Sequence, residues 1–416
     1  MTIKTLLLYS SGGTTRDIFL NTYLGSLLKK IQGSNLLTNS IKNEKYQRLL
    51  YTLISPYESL SYINDWKEAF ESSGELDVKS LNILNQRHAH SYLQKNIKEF
   101  DLIILMHSVL GDNVEVITPF EQVLKERTGK LLSFVGNEYD VMRKKKAFLQ
   151  SVEADYIASQ LPREAHTFIY KELSAQLIEA PHALNENIYC PSKRNKVYDI
   201  AFSGAKYGIF IGDLERNNLI ETIANFTPNL KNKINIGKNT NLPRNLWVEL
   251  LQSAKATVGA EAGTYFLDRN GSLLEQSKEY IQQNPDANLD DLLEKIFDNT
   301  SIEYVSGKAI SSRHFEPVGT KTCQILLEGS FNGILKEGEH YISVKKNFSN
   351  LKEAIDVYLD IDLRNQIVER AYAYISENHT YEHRVKTIIN NLFVIVSTRF
   401  LYVWFSDIYA YALSTI

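Results

Sequence analysis

Residues 311–350 read SSRHFEPVGTKTCQILLEGSFNGILKEGEHYISVKKNFSN. Arg313, His314 and Glu316 crowd the start, a Gly319-Thr320-Lys321-Thr322 turn follows, and the apolar run CQILL occupies 323–327. Two more turns, EGSFNG and EGEH, interrupt what comes after. Pro317 suits the first turn of a helix, where no amide hydrogen is required. CQILL suits a buried strand. Ionisable groups gathered where a chain changes direction are costly unless a ligand or partner uses them. An ordinary surface loop with capping residues is the competing reading.

Upstream of this stretch, apolar runs alternate with helical patterns. VYDIAFS (197–203), KINIG (233–237) and KATVG (255–259) read as strands, with helices between them, one carrying Arg216 and another spanning 243–254. Residues 308–312 read as a short edge strand, and 268–303 as an inserted helical hairpin turning near Pro285. Downstream, Asn350 and Glu353 suggest a capping box, followed by helices capped by Asp362 and Thr380. The same rhythm occupies the N-terminal half. IKTLLLY (3–9), DLIILM (101–106), KLLSFV (130–135), ADYIAS (154–159) and QLIE (176–179) read as strands. Strands alternating with helices imply parallel sheets with right-handed crossovers. The passage 179–196, with Pro181 and Pro191, breaks the rhythm and marks the domain boundary.

The expected organisation is α/β, with a first domain at 1–185, a second at 186–390 and an amphipathic helix at 391–416. In that last segment Arg399, Ser406, Asp407 and Ser414 fall on one stripe of an otherwise apolar surface. Packing back onto the first domain is the expectation, with a peripheral membrane contact through 392–416 as the alternative. Two charges near its middle argue against a membrane span.

Composition bounds the function. The 416 residues are 44% hydrophobic and 23% charged, as in globular proteins, and too many for one ordinary core. A net charge of −3 gives no footprint for nucleic acid. Cys190 and Cys323 form no CxxC, so no zinc site or disulfide framework is implied and a reducing, cytoplasmic setting fits.

In parallel α/β folds, ligands meet the carboxyl ends of strands. Those ends carry Gly12 and Gly13, His107, the 136–140 cluster with Glu138 and Asp140, Ser203 and Gly204, and Glu261. The loop at Gly12 and Gly13 lacks a full G-x-G-x-x-G, so it is no dinucleotide fingerprint. His182 lies where the two domains would meet.

The motif R-H-F-E-x-x-x-T-K-T-x-Q-I-L, then F-N-G-I-L, E-H-Y-I, F-S-N and N-H-T-Y-E-H-R-V, resembles the C-terminal half of GT-B glycosyltransferases, closest to the spore-maturation-type subgroup. The linker APHALNENIYCP and the strand YDIAFSG are similar to passages of the same family, and the likeness runs over about residues 178–390. The resemblance implies two Rossmann-like domains facing a cleft. It implies transfer of a sugar from a nucleotide-diphosphate donor to a glycan, lipid-linked saccharide or small acceptor, without a metal or other cofactor. It assigns Ser203, Gly204, Arg313, Thr320, Lys321 and Thr322 to the donor phosphates, and Glu316 to donor contact as the first glutamate of an E-x7-E pattern. Gln324 stands where that pattern has its second glutamate. Glu261 is a candidate donor-hydroxyl contact. His107, Glu138 and Asp140 are candidates for a general base, His107 favoured on pKa grounds. Two other readings remain open. One is a nucleotide-sugar 2-epimerase of the same architecture, the other a non-catalytic transferase-like binding protein.

Overall fold

The structure is a computed structural model that describes residues 2–10, 61–237 and 240–393. Gly12, Gly13 and most of the expected terminal helix lie outside the described residues.

Two parallel sheets organise the chain. The first contains β1 (Ile3–Tyr9), β2 (Leu76–Asn82), β3 (Leu102–Leu105), β4 (Lys130–Phe134), β5 (Tyr156–Ser159) and β6 (Gln176–Glu179), in the order β2-β1-β3-β4-β5-β6. The second has β7 (Tyr198–Gly204), β8 (Lys233–Ile236), β9 (Ala254–Gly259), β12 (Cys323–Leu327) and β13 (Ile342–Val344), in the order β13-β12-β9-β7-β8. A two-stranded antiparallel pair, β10 (Leu267–Asp268) and β11 (Tyr304–Val305), stands apart from both. Both sheets are buried on two faces, which is why β3, β5 and β12 read as unbroken apolar runs. Each face has its own apolar cluster: Leu6, Ile103 and Ile157 on one side of the first sheet, Leu7, Ile104 and Phe134 on the other. These are two Rossmann-like domains, each built on a parallel sheet.

Several local readings change. β2 was not foreseen, because LDVKSLN is a half-exposed edge strand without an apolar run. Residues 308–312 form no strand. Ala309 makes a single antiparallel bridge to Ala262, and Ser312 already opens a helix. Asn350 does not cap through its side chain, which instead bonds Lys345 N and Ser343 O. Asp360, not Asp362, caps the helix Ile361–Asn378.

The domains are tied together on two sides. Helical residues 381–393 cross back onto the first sheet, burying Tyr381, Val385, Ile388, Ile389 and Leu392, one stripe at helical spacing. The expected boundary at residue 390 therefore falls inside a helix that belongs to the first domain's core. On the other side, residues 268–303 do form a helical hairpin, with helices Ser272–Gln283 and Leu289–Leu292 and a capping box between Asn288 and Asp291. The hairpin reaches the first domain: Lys278 pairs with Asp140 at 2.7 Å, and Arg269 covers the Phe168 ring at 4.6 Å. No helix of the described residues is long and apolar enough to cross a membrane.

Candidate active site

The carboxyl ends of β4, β5, β7 and β9 converge on one cavity of about 340 Å³ between the domains. The second domain supplies two cations to it. Arg313, in the first turn of the helix Ser312–Gly319, donates from Nη1 to Ser203 O at 2.8 Å and lies over the Trp247 indole at 4.5 Å. Arg216, on the helix Glu215–Phe226, donates to Ala205 O and stacks on Tyr207 with 3.3 Å to the ring centroid. Among the described residues neither guanidinium is paired with a carboxylate, and Arg216 Nε has no hydrogen-bond partner. Burial, partly offset by nearby Tyr207, holds the Arg216 pKa below its ordinary value, with Arg313 adding to the depression. Two half-buried, unneutralised cations beside a helix N-terminus form a site for an anion with more than one charge.

The first domain supplies Glu138, Tyr139, Gln160 and Tyr62. Glu138 is 1% exposed. Its Oε1 accepts from Tyr170 Oη at 2.7 Å and its Oε2 from Gln160 N at 3.2 Å. Burial pushes this carboxyl up to about 7, against the lowering effect of its hydrogen bonds and of Lys145. Lys145 holds the loop in place, donating to Gly136 O at 2.7 Å and Asn137 O at 3.0 Å. His182 also lines the cavity, packed against Tyr62 at 4.6 Å, and burial pushes it down to about 3, so it is neutral.

Residues 284–390 match a family model described as glycosyl transferase-like. Among solved structures, the chain is similar to Anabaena HepE in complex with UDP-glucose, at 10% identity over 94% of this chain and 99% of that one, with a TM-score of 0.46. It is also similar to T4 phage β-glucosyltransferase, at 10% identity over 94% and 99%, with a TM-score of 0.47. No curated protein matches the chain.

The residues singled out from sequence separate into three groups. Arg313, Gln324, Glu138 and His182 line the cavity. Gln324 donates to His314 O at 3.0 Å, while its Oε1 is buried without a partner among the described residues. Ser203 and Gly204 lie just behind the wall. Ser203 presents its carbonyl to Arg313, and a Cβ at Gly204 would press on the Phe202 ring at 3.1 Å while only touching Arg313 Nη1 at 3.6 Å.

The other expectations are corrected. Thr320, Lys321 and Thr322 precede β12 and so sit at the amino ends of the strands, away from the cavity. Thr320 and Thr322 bond each other at 2.9 Å, Thr322 donates to Leu251 O, and Lys321 pairs with Glu369. Glu261 turns from the cavity to accept from Phe331 N at 2.7 Å and Ser330 Oγ at 3.0 Å. Glu316 is 2% exposed, does not line the cavity, and accepts from Trp247 Nε1 at 2.6 Å. His107 sits behind His182, with ring centroids 5.7 Å apart. Burial first, and His182 second, lower it well below the ordinary histidine value. Asp140 is engaged by Lys278. Arg216 is a cavity-lining side chain that motif reasoning passed over. Its signal was a lone arginine one helix after a strand ending in Ser-Gly-Ala.

Proposed function

We propose that the protein transfers a sugar from a nucleotide-diphosphate donor to a hydroxyl acceptor in the cavity between its domains. The observation that carries this reading is the pair Arg216 and Arg313, two cations without carboxylate partners among the described residues, set beside the N-terminus of the helix Ser312–Gly319. A diphosphate leaving group gains charge as the glycosidic bond breaks, and fixed cations in a partly desolvated site stabilise that charge. On this reading the guanidiniums do the work that a metal ion does elsewhere. The facing wall supports a matching role for Glu138. With its carboxyl held near 7, a large share is ionised at neutral pH and can accept a proton. In a displacement with inversion, the acceptor oxygen bonds to the anomeric carbon, the bond to the phosphate oxygen breaks with its electrons leaving on the diphosphate, and the acceptor proton passes to Glu138.

The acceptor, a glycan, lipid-linked saccharide or small molecule, enters from the side of Tyr62, Tyr139 and His182. We place the enzyme in the cytoplasm, where nucleotide sugars are available, with membrane contact through 392–416 as a further possibility to test. A thermal-shift panel of nucleotide diphosphates and nucleotide sugars tests the reading. Stabilisation by nucleoside diphosphates, lost in Arg313→Met, is the expected result. Absence of any shift at millimolar concentration would remove the donor site, and epimerised donor formed without an acceptor would replace transfer by epimerisation.

A further inference from the structure

The Arg313 guanidinium is not held by an acid. Among the described residues its contacts are one carbonyl, Ser203 O, and the face of Trp247. Its other N–H donors have no partners there, which leaves them for a ligand. The geometry of this cation therefore depends on where the indole plane lies. Trp247 is 4% exposed and belongs to the helix Arg244–Gln252. Its ring is pinned by the 2.6 Å bond from Nε1 to Glu316 Oε2. The same helix is anchored one turn earlier, where Arg244 binds Glu68 through two bonds of 2.8 Å and also pairs with Asp65 of the first domain.

We propose that Trp247 is a positioning residue for Arg313, and that Glu316 serves the site by fixing the indole rather than by touching the donor. An aromatic face attracts a cation without neutralising it, and tryptophan does so most strongly. A carboxylate in the same place would hold Arg313 equally still but would cancel the charge that a diphosphate needs. Glu316 stands behind the indole and outside the cavity lining, so Arg313 is oriented without a carboxylate placed against it. This inference rests on the reading of Arg313 as a phosphate ligand.

The test is calorimetric titration of the full chain with inorganic pyrophosphate, which needs no knowledge of the base or sugar. Arg313→Met is expected to weaken binding at least tenfold. Wild-type affinity in that variant would overturn the donor-site reading itself. Trp247→Leu is expected to bind about tenfold more weakly, and Trp247→Phe, which keeps a smaller aromatic face, about threefold. Glu316→Gln retains an acceptor for the indole and is expected to stay within about twofold of wild type. If Arg313→Met loses binding while Trp247→Leu and Trp247→Phe retain it in full, the positioning role is wrong. Fluorescence gives a second readout that does not depend on the leucine variant folding. Pyrophosphate should change tryptophan emission in the wild type and not in Trp247→Phe, and a change that survives the substitution would also overturn the proposal.

Discussion

The two ends of the helix Ser312–Gly319 carry similar polar side chains and meet opposite fates. At its start, Arg313 faces the cavity with donors to spare. At its end, Thr320 and Thr322 are buried in bonds to each other, to Leu251 O and to Lys196 Nζ. Both ends looked like phosphate sites in the sequence. What separates them is strand direction. The helix runs antiparallel to the strand it precedes, so its N-terminus lies at the carboxyl edge of the sheet and its C-terminus at the amino edge. Only the first edge faces the other domain, and only there does the helix dipole favour an anion. The polar groups at the far edge solve a different problem, satisfying a half-buried lysine and the backbone of a tight turn.

The comparison can be broken most directly at the cavity end. Removing both cations, Arg216→Met with Arg313→Met, should abolish nucleotide-diphosphate binding measured by calorimetry, with little change in melting temperature. Glu138→Gln should lower turnover by about 10²–10⁴ while leaving donor affinity near wild type, as expected for loss of a general base. Steady-state kinetics with a matched donor and acceptor would show it.

At the far end the pattern should reverse. Thr322→Val leaves Lys196 and the turn short of a partner and should cost about 1–3 kcal/mol in denaturant melts. Nucleotide binding should be unchanged, and a loss of binding would erase the distinction between the two ends.

A pH series sharpens the contrast on the opposite wall. Glu138 has a folded pKa raised from 4.5 to about 7, so burial favours its protonated form. The wild type should lose stability relative to Glu138→Gln as pH rises from about 4.5 to about 7, and the gap should stay level above that. In kinetics, activity should fall as pH drops below about 7, where the base becomes protonated. A melting gap that does not vary with pH would deny the raised pKa. The smallest effect is expected for Lys278→Met, which removes a partly exposed pair with Asp140 and should cost no more than about 1 kcal/mol.

Much of the fold was legible because buried parallel strands leave a strong mark. Unbroken runs such as LIIL and CQILL are costly anywhere but between two helical layers. The proline-interrupted linker marked the passage between sheets for a related reason, since proline cannot join a ladder or continue a helix. Edge elements left weaker marks. β2 and β13 are short or half-exposed, and their polar residues resemble loop. In the site, Arg313, Glu138, Gln324 and His182 could be read from their places at domain edges or in a motif. Glu261 and Glu316 could not be told apart from ligands, because a buried carboxylate satisfied by a loop amide or an indole has the same one-letter code as one awaiting a substrate.

The sequence by itself determined two things: which segments had to be buried, through their hydrophobic period, and which chemistry was available, through its arginines and carboxylates. Tertiary structure alone decided which of those groups keep their charge unspent. That choice depends on contacts between segments far apart in the chain. Trp247 meets Glu316 across 69 positions, and Arg313 meets Ser203 across 110. A carboxylate paired directly with either arginine would have ended its usefulness to a phosphate. Among the described residues Asp213, the acid whose charge reaches Arg216, is itself paired with Lys308, and no local pattern records that.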